Sequence, residues 1–102
     1  MVHKVVFRDE ANNELIAIYD YIAGESSPEI AIGYIRRIRM TCLALAHFSE
    51  RGRKRDDLLK GLRTIGFERR ATIIYRVLKT RVEIVSIAYG GRNFEARLRK
   101  GK

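Results

Sequence analysis

The stretch Ala71 to Leu78 (A-T-I-I-Y-R-V-L), followed by Val82 to Tyr89 (V-E-I-V-S-I-A-Y), decides the fold. Both segments are short and rich in β-branched and aromatic residues. Only Lys79, Thr80 and Arg81 separate them, which predicts a β-hairpin. In the first segment Ile73, Tyr75 and Val77 share one face, and Thr72, Ile74 and Arg76 share the other. Apolar residues on both faces predict a central strand. Gly90-Gly91 ends the second segment. Upstream, Leu62 to Phe67 reads as another short strand, and Ser49 to Lys60 as a polar, basic loop punctuated by Gly52 and Gly61.

The first half has a different period. Val2 to Arg8 (V-H-K-V-V-F-R) reads as a strand, and Asp9 as the N-cap of a helix with Glu10 in its first turn. Ala11, Leu15, Ile18 and Ile22 recur at helical spacing and form one stripe, which ends near Gly24. Ser27 then caps a second helix that has Pro28 at its first position. Its stripe is Ala31, Ile35, Ile38, Cys42 and Leu45, with Arg36, Arg37 and Met40 facing away. Two amphipathic helices with a short join predict an antiparallel hairpin. The order strand, two helices, run of strands predicts an α+β fold. Its N-terminal strand and helical hairpin are expected on one face of a small antiparallel sheet.

The 102 residues suit one domain, with 90–102 as its basic C-terminal segment. Residues 1–50 hold five Lys/Arg against seven Asp/Glu, a net −2, and residues 51–102 hold sixteen against five, a net +11. A half this basic attracts a polyanion, whether nucleic acid, an anionic membrane or an acidic protein, or is simply a solvated surface. No apolar run approaches the roughly 20 residues that span a bilayer, and Met1 to Arg8 lacks the apolar core of a signal peptide. The single cysteine, Cys42, sits at a core position, which excludes internal disulfides and fits the cytoplasm.

Residues for the usual catalytic chemistries are scarce. His3 starts a strand and His47 ends a helix, and with one cysteine they cannot build a zinc site. Asp56 and Asp57 are adjacent on a loop, where neighbouring side chains diverge, so a solvated turn is expected there rather than an acid/base pair. Gly90-Gly91 lacks the context of a phosphate loop. No cofactor and no metal are expected. What remains is arginine: Arg63, Arg76 and Arg92 fall on or beside strands and suit phosphate or carboxylate.

Larger patterns bear on the same residues. The helix A-N-N-E-L-I-A-I-Y-D-Y-I followed by S-P-E-I-A resembles the opening of the RelE/ParE toxin superfamily. So do G-R-K-R-D-D-L-L-K-G-L-R, I-I-Y-R-V and V-E-I-V-S-I-A-Y-G-G-R-N-F-E-A, in that order along nearly the whole chain. RelE-like members cut mRNA on the ribosome with a basic and aromatic set. ParE-like members lack that set and resemble poisons of DNA gyrase. Aligning the shared Y-x-V segment places Thr72 where the ribonuclease branch carries an arginine, and Leu98 near its C-terminal tyrosine. Only Arg92 has a counterpart.

The resemblance therefore implies a ParE-type toxin of a type II toxin–antitoxin module, non-enzymatic, acting on DNA gyrase and held by an acidic ParD-like antitoxin in a hetero-oligomer. A RelE-like endonuclease, with Tyr75 or Tyr89 substituting, is the alternative, and an inert basic binding module is a third. Target contact is expected from Arg63, Arg76, Tyr89 and Arg92. The antitoxin is expected on apolar residues outside the two stripes, namely Ile16, Tyr19, Ile32, Met40 and Leu43, with Arg76 and Arg92 pairing to its acidic residues. Phe94 and Leu98 are expected to pin one turn of the basic tail against the sheet.

Overall fold

The computed structural model describes residues 4–90 and Glu95. Strand β1 (Lys4–Phe7) leads into helix α1 (Asp9–Glu25) and helix α2 (Pro28–Ala44). A short 3-10 turn, Ser49–Arg51, precedes β2 (Arg53–Lys54), β3 (Leu62–Phe67), β4 (Ala71–Val77) and β5 (Arg81–Tyr89). The sheet order is β1-β5-β4-β3-β2, so β4 is the central strand, as its two apolar faces predict.

The α+β fold with a helical hairpin on one sheet face is present, with one refinement. Strand β1 joins β5 in parallel, Lys4 opposite Arg81 and Phe7 opposite Ile84, while the other three pairings are antiparallel. The helical hairpin carries the chain from β1 at one edge of the sheet to β2 at the other, and β3 and β4 return it to β5 beside β1. The 49–60 segment also departs from a plain loop, because Arg53 and Lys54 pair with Thr64 and Arg63 as a short edge strand.

Local chemistry explains the helix ends. Ser27 accepts a hydrogen bond from the Ile30 N–H at 3.2 Å, and Pro28 follows at the first helical position. At α1 the expected cap shifts by one residue. Arg8 occupies the N-cap without a side-chain bond, and Asp9 and Glu10 lie in the first turn, where the dipole favours carboxylates.

Ala11, Leu15, Ile18 and Ile22 of α1 pack with Ala31, Tyr34, Ile38 and Cys42 of α2 and with Leu45. Below them lie Phe67, Ala71, Ile73, Tyr75, Val82, Ile84 and Ile87 of the sheet. Tyr34 takes the buried place expected of Ile35, which is only partly buried. Burial pushes the Cys42 thiol up to about 12, so it behaves as a small hydrophobe. The other sheet face is not bare: Leu58, Leu62, Ile74, Val85 and Ala88 form a second, smaller core under the 55–61 loop.

Both cores draw on β4 and β5 because successive side chains of a strand point to opposite faces, and in β5 the register also slips. Ile74 pairs with Ser86 and Tyr75 with Ile84, which leaves Val85 as an extra residue in β5. Such a bulge reverses the in–out phase of everything after it. Val82 and Ile84 face the helices before the slip, and Ile87 faces them after it.

Candidate partner interface

Beyond Phe7 the outer edge of β5 has no strand beside it among the described residues, and α1 crosses there. The Glu14 carboxylate accepts the Ile87 N–H at 2.7 Å and the Ser86 hydroxyl at 2.9 and 3.0 Å. A side-chain acceptor thus replaces the missing strand and satisfies Ser86, a buried polar side chain. This contact locks the hairpin to the sheet.

With the inner faces of the helices buried, their outer faces carry the unspent apolar surface. A crease of about 380 Å³ between α1 and α2 is lined by Asn12, Leu15, Ile16, Tyr19, Ile35 and Arg39. Of the residues expected at a partner interface, Ile16 and Tyr19 line this crease. Ile32 and Leu43 lie on the flank of α2 beside it, at helical spacings of seven and four from Arg39. Met40 points further round. Ile16 is 60% exposed, Ile32 41%, Met40 69% and Leu43 50%. Large apolar side chains this open, side by side, are what an amphipathic partner covers. Arg39 closes one wall, its guanidinium 4.9 Å from the Phe7 ring centre.

The residues expected to contact a target do not converge. Arg63 sits opposite Tyr75 on the helix side of the sheet, and its Nη1 donates to the Glu50 carbonyl at 3.1 Å and the Gly52 carbonyl at 2.8 Å. Arg76 lies on the other face, opposite Leu62, and its Nε donates to the Lys60 carbonyl at 3.1 Å. Tyr89 faces the helices at the far end of β5, in edge contact with Tyr21 and Tyr34. Arg92, Phe94 and Leu98 lie outside the described residues.

Other polar groups have local duties. The Tyr75 hydroxyl accepts the Gly52 N–H at 2.8 Å and donates to the Ser49 carbonyl at 2.9 Å, and burial raises its pKa. Asp56 accepts the Gly61 N–H at 2.8 Å, while Asp57 takes Arg55 in a two-pronged pair, and Arg55 also reaches Glu95. The adjacent carboxylates therefore diverge, as expected. Among the described residues, no three of His, Cys, Asp or Glu cluster as metal ligands, and no helix is long and apolar enough to cross a membrane.

A third feature had no place in the sequence reading. At the bend of the hairpin, a cavity of about 490 Å³ opens between the helices and the β3–β4 turn, with Tyr34 and Arg70 among its lining residues. The turn residues Glu68 and Arg69 both adopt positive φ, 49° and 60°. Glu68 pairs with Arg37 through two bonds of 2.8 and 3.0 Å. The spacing of Ala31, Tyr34, Ile38, Cys42 and Leu45 is helical, so Tyr34 was discoverable as a core residue. The positive-φ turn has no Gly or Asn to announce it.

The structure is similar to a solved chain described as "Chromosomal ParDE TA system from P. aeruginosa". The TM-score is 0.76 and the sequence identity 24%, over 87% of this chain and 97% of that one. No curated protein matches the sequence. Residues 5–94 match the family described as ParE toxin of type II toxin-antitoxin system, parDE. The chain belongs to that family and is a toxin component of the ParDE kind.

Proposed function

We propose that this chain acts in the cytoplasm by binding rather than by catalysis, that its target is DNA gyrase, and that a ParD-like antitoxin neutralises it by covering the α1–α2 crease. The observation that carries the non-enzymatic reading is that the Tyr75 hydroxyl is already engaged by its own chain and that both tyrosines lie on the face away from Arg76. Cleavage of RNA requires a proton-transfer group near the 2′-oxygen and cations at the phosphate. Tyr75 is buried on the helix side with its hydroxyl held by Gly52 and Ser49, and Tyr89 is also on the helix side, whereas Arg76 is on the opposite face. Neither phenol stands beside Arg76, and Arg63, the arginine opposite Tyr75, is tied to the Glu50 and Gly52 carbonyls. The antitoxin reading is supported by the exposed crease residues and by a chain net charge of +9, which suits an acidic partner.

Brief induction of the chain in cells separates the two mechanisms. DNA breaks with a DNA-damage response, and loss of supercoiling by purified gyrase in the presence of the chain, are the expected results. Arrested protein synthesis with cut mRNA and intact DNA would replace this reading with the ribosome-dependent endonuclease. Co-expression with the product of the adjacent reading frame should abolish the toxicity and yield a complex.

A further inference from the structure

The cavity at the hairpin bend holds an imbalance of hydrogen-bonding groups. Tyr34 is buried, and its hydroxyl has no hydrogen-bond partner among the described residues. Burial, with Tyr89 and Glu68 nearby, pushes its pKa up to about 12, so the group is a protonated donor at every physiological pH. A buried phenol without a partner is uncommon, because an unmade hydrogen bond costs stability. Arg70 lines the same cavity, is exposed and has no ion pair among the described residues, whereas the neighbouring Arg37 is committed to Glu68. Two donors on one cavity therefore await an acceptor.

The remainder of the lining narrows what the acceptor is. Tyr21, Tyr89 and Ile30 give the cavity an apolar lip, with Tyr21 and Ile30 more than half exposed. Arg37 and Arg70 are offset by Glu25 and Glu68, so the formal charge of the lining is zero. A polyanionic backbone gains little from such a site. A single carboxylate on a short carbon stem gains both donors and buries its methylenes against the rings.

We propose that Tyr34 and Arg70 together receive a carboxylate side chain from an extended acidic segment of the antitoxin. The inference rests on the toxin–antitoxin reading above and adds an anchor on a different flank of α2 from the crease. The exposed Arg70 arm meets the carboxylate, and because the Tyr34 hydroxyl is closed to water in the free chain, the lining side chains must part for a carboxylate oxygen to reach it.

The test is affinity measured on the intact complex with the product of the adjacent reading frame, together with thermal melting of the free toxin. Removing a hydrogen bond to a charged group weakens binding by about tenfold or more, so Tyr34→Phe and Arg70→Gln are each expected to raise Kd by about that factor. Arg36→Gln, on the outer face of α2, is expected to leave it unchanged. Tyr34→Phe should leave the melting temperature of the free toxin unchanged or higher, because it removes an unsatisfied hydroxyl. A merely structural tyrosine would give a lower one. Exchanging the antitoxin's Asp and Glu residues singly for Asn and Gln should reveal one position whose effect is not additive with Tyr34→Phe.

Wild-type affinity in both Tyr34→Phe and Arg70→Gln would overturn the proposal while leaving the toxin–antitoxin reading intact. So would a lowered melting temperature of Tyr34→Phe, or displacement of the antitoxin's acidic segment by a short single-stranded DNA oligonucleotide. Failure of the wild-type chain to bind the neighbour's product would overturn the toxin–antitoxin reading itself, and this proposal with it.

Discussion

The helical crease and the arginine-rich second half contrast in how much of their chemistry is already used. Around the crease, Ile16, Ile32, Met40 and Leu43 hold large apolar side chains open to solvent. In the second half, Arg63 is tied to two backbone carbonyls, Arg76 to one, and Arg55 to Asp57 and Glu95. A net +11 counted from sequence therefore overstates the free cationic surface, while the nearly neutral first half carries the unspent apolar surface. Arginine is suited to this internal duty because its planar fork reaches several acceptors at once and it stays charged.

Substitutions can break that contrast. The largest effect is expected where the loop meets the sheet. A Cβ on Gly52 would lie 2.5 Å from the Tyr75 hydroxyl oxygen and 2.8 Å from the Thr64 carbonyl oxygen. One of these is backbone and the other is held at both ends, so Gly52→Ala should cost about 3 kcal/mol, the upper end for overpacking. Denaturant unfolding measures this directly; a loss within error of zero would mean the 49–52 turn is loosely held.

The next pair sharpens the comparison. Arg63→Ala removes both bonds to the 49–52 turn and should lower stability by about 2 kcal/mol, given that hydrogen bonds to charged groups are worth more than neutral ones and that this group is partly solvated. Its antitoxin affinity should stay near wild type. Leu43→Ala should do the reverse, weakening the complex by about 1–2 kcal/mol with stability of the free chain nearly unchanged. Parallel unfolding and binding measurements decide it. If Arg63→Ala abolishes toxicity while the protein stays fully folded, Arg63 contacts the target as well as the loop.

Much of the fold was legible because burial imposes a period. Ala11, Leu15, Ile18 and Ile22 are all buried, and Leu62–Phe67 has the bounds its composition suggests. The slip in β5 is also visible in retrospect. Val82 and Ile84 are two apart, Ile87 comes three later, and a polar Ser86 sits where the phase changes. The parallel placement of β1 was not legible, since nothing in V-H-K-V-V-F-R specifies which edge it joins. The site was harder still. An arginine's sequence position does not say whether its fork will find a carbonyl of its own chain, and Glu14 looks like any exposed helix carboxylate. The crease residues were legible for the converse reason: an apolar residue off the buried stripe has few places to hide.

The β3–β4 turn offers a smaller effect of opposite sign. Glu68 and Arg69 occupy positive φ, where L-residues other than Asn and Asp are disfavoured. Arg69→Gly relieves one of these penalties and should stabilise the chain by about 1 kcal/mol, less whatever entropy glycine adds to the unfolded state. A higher denaturation midpoint with an unchanged slope is the expected observation. A lower midpoint would mean that the arginine side chain holds the turn in some other way.

The smallest effect concerns the Arg37–Glu68 pair, which bridges α2 to that turn. Both side chains are largely exposed, at 54% and 41%, so solvent and salt screen the pair. The hydrogen bonds from Arg37 hold the Glu68 carboxyl below its ordinary value, while Arg37 is pushed up and stays charged. A carboxyl with a depressed folded-state pKa contributes stability above its unfolded pKa and loses it as pH falls through the folded one. Glu68→Gln should therefore melt slightly below wild type at neutral pH, and the gap should close as pH drops below the usual carboxylate range. Added salt at neutral pH should narrow the same gap. A gap that persisted in acid would mean that Glu68 acts through turn geometry rather than through its charge.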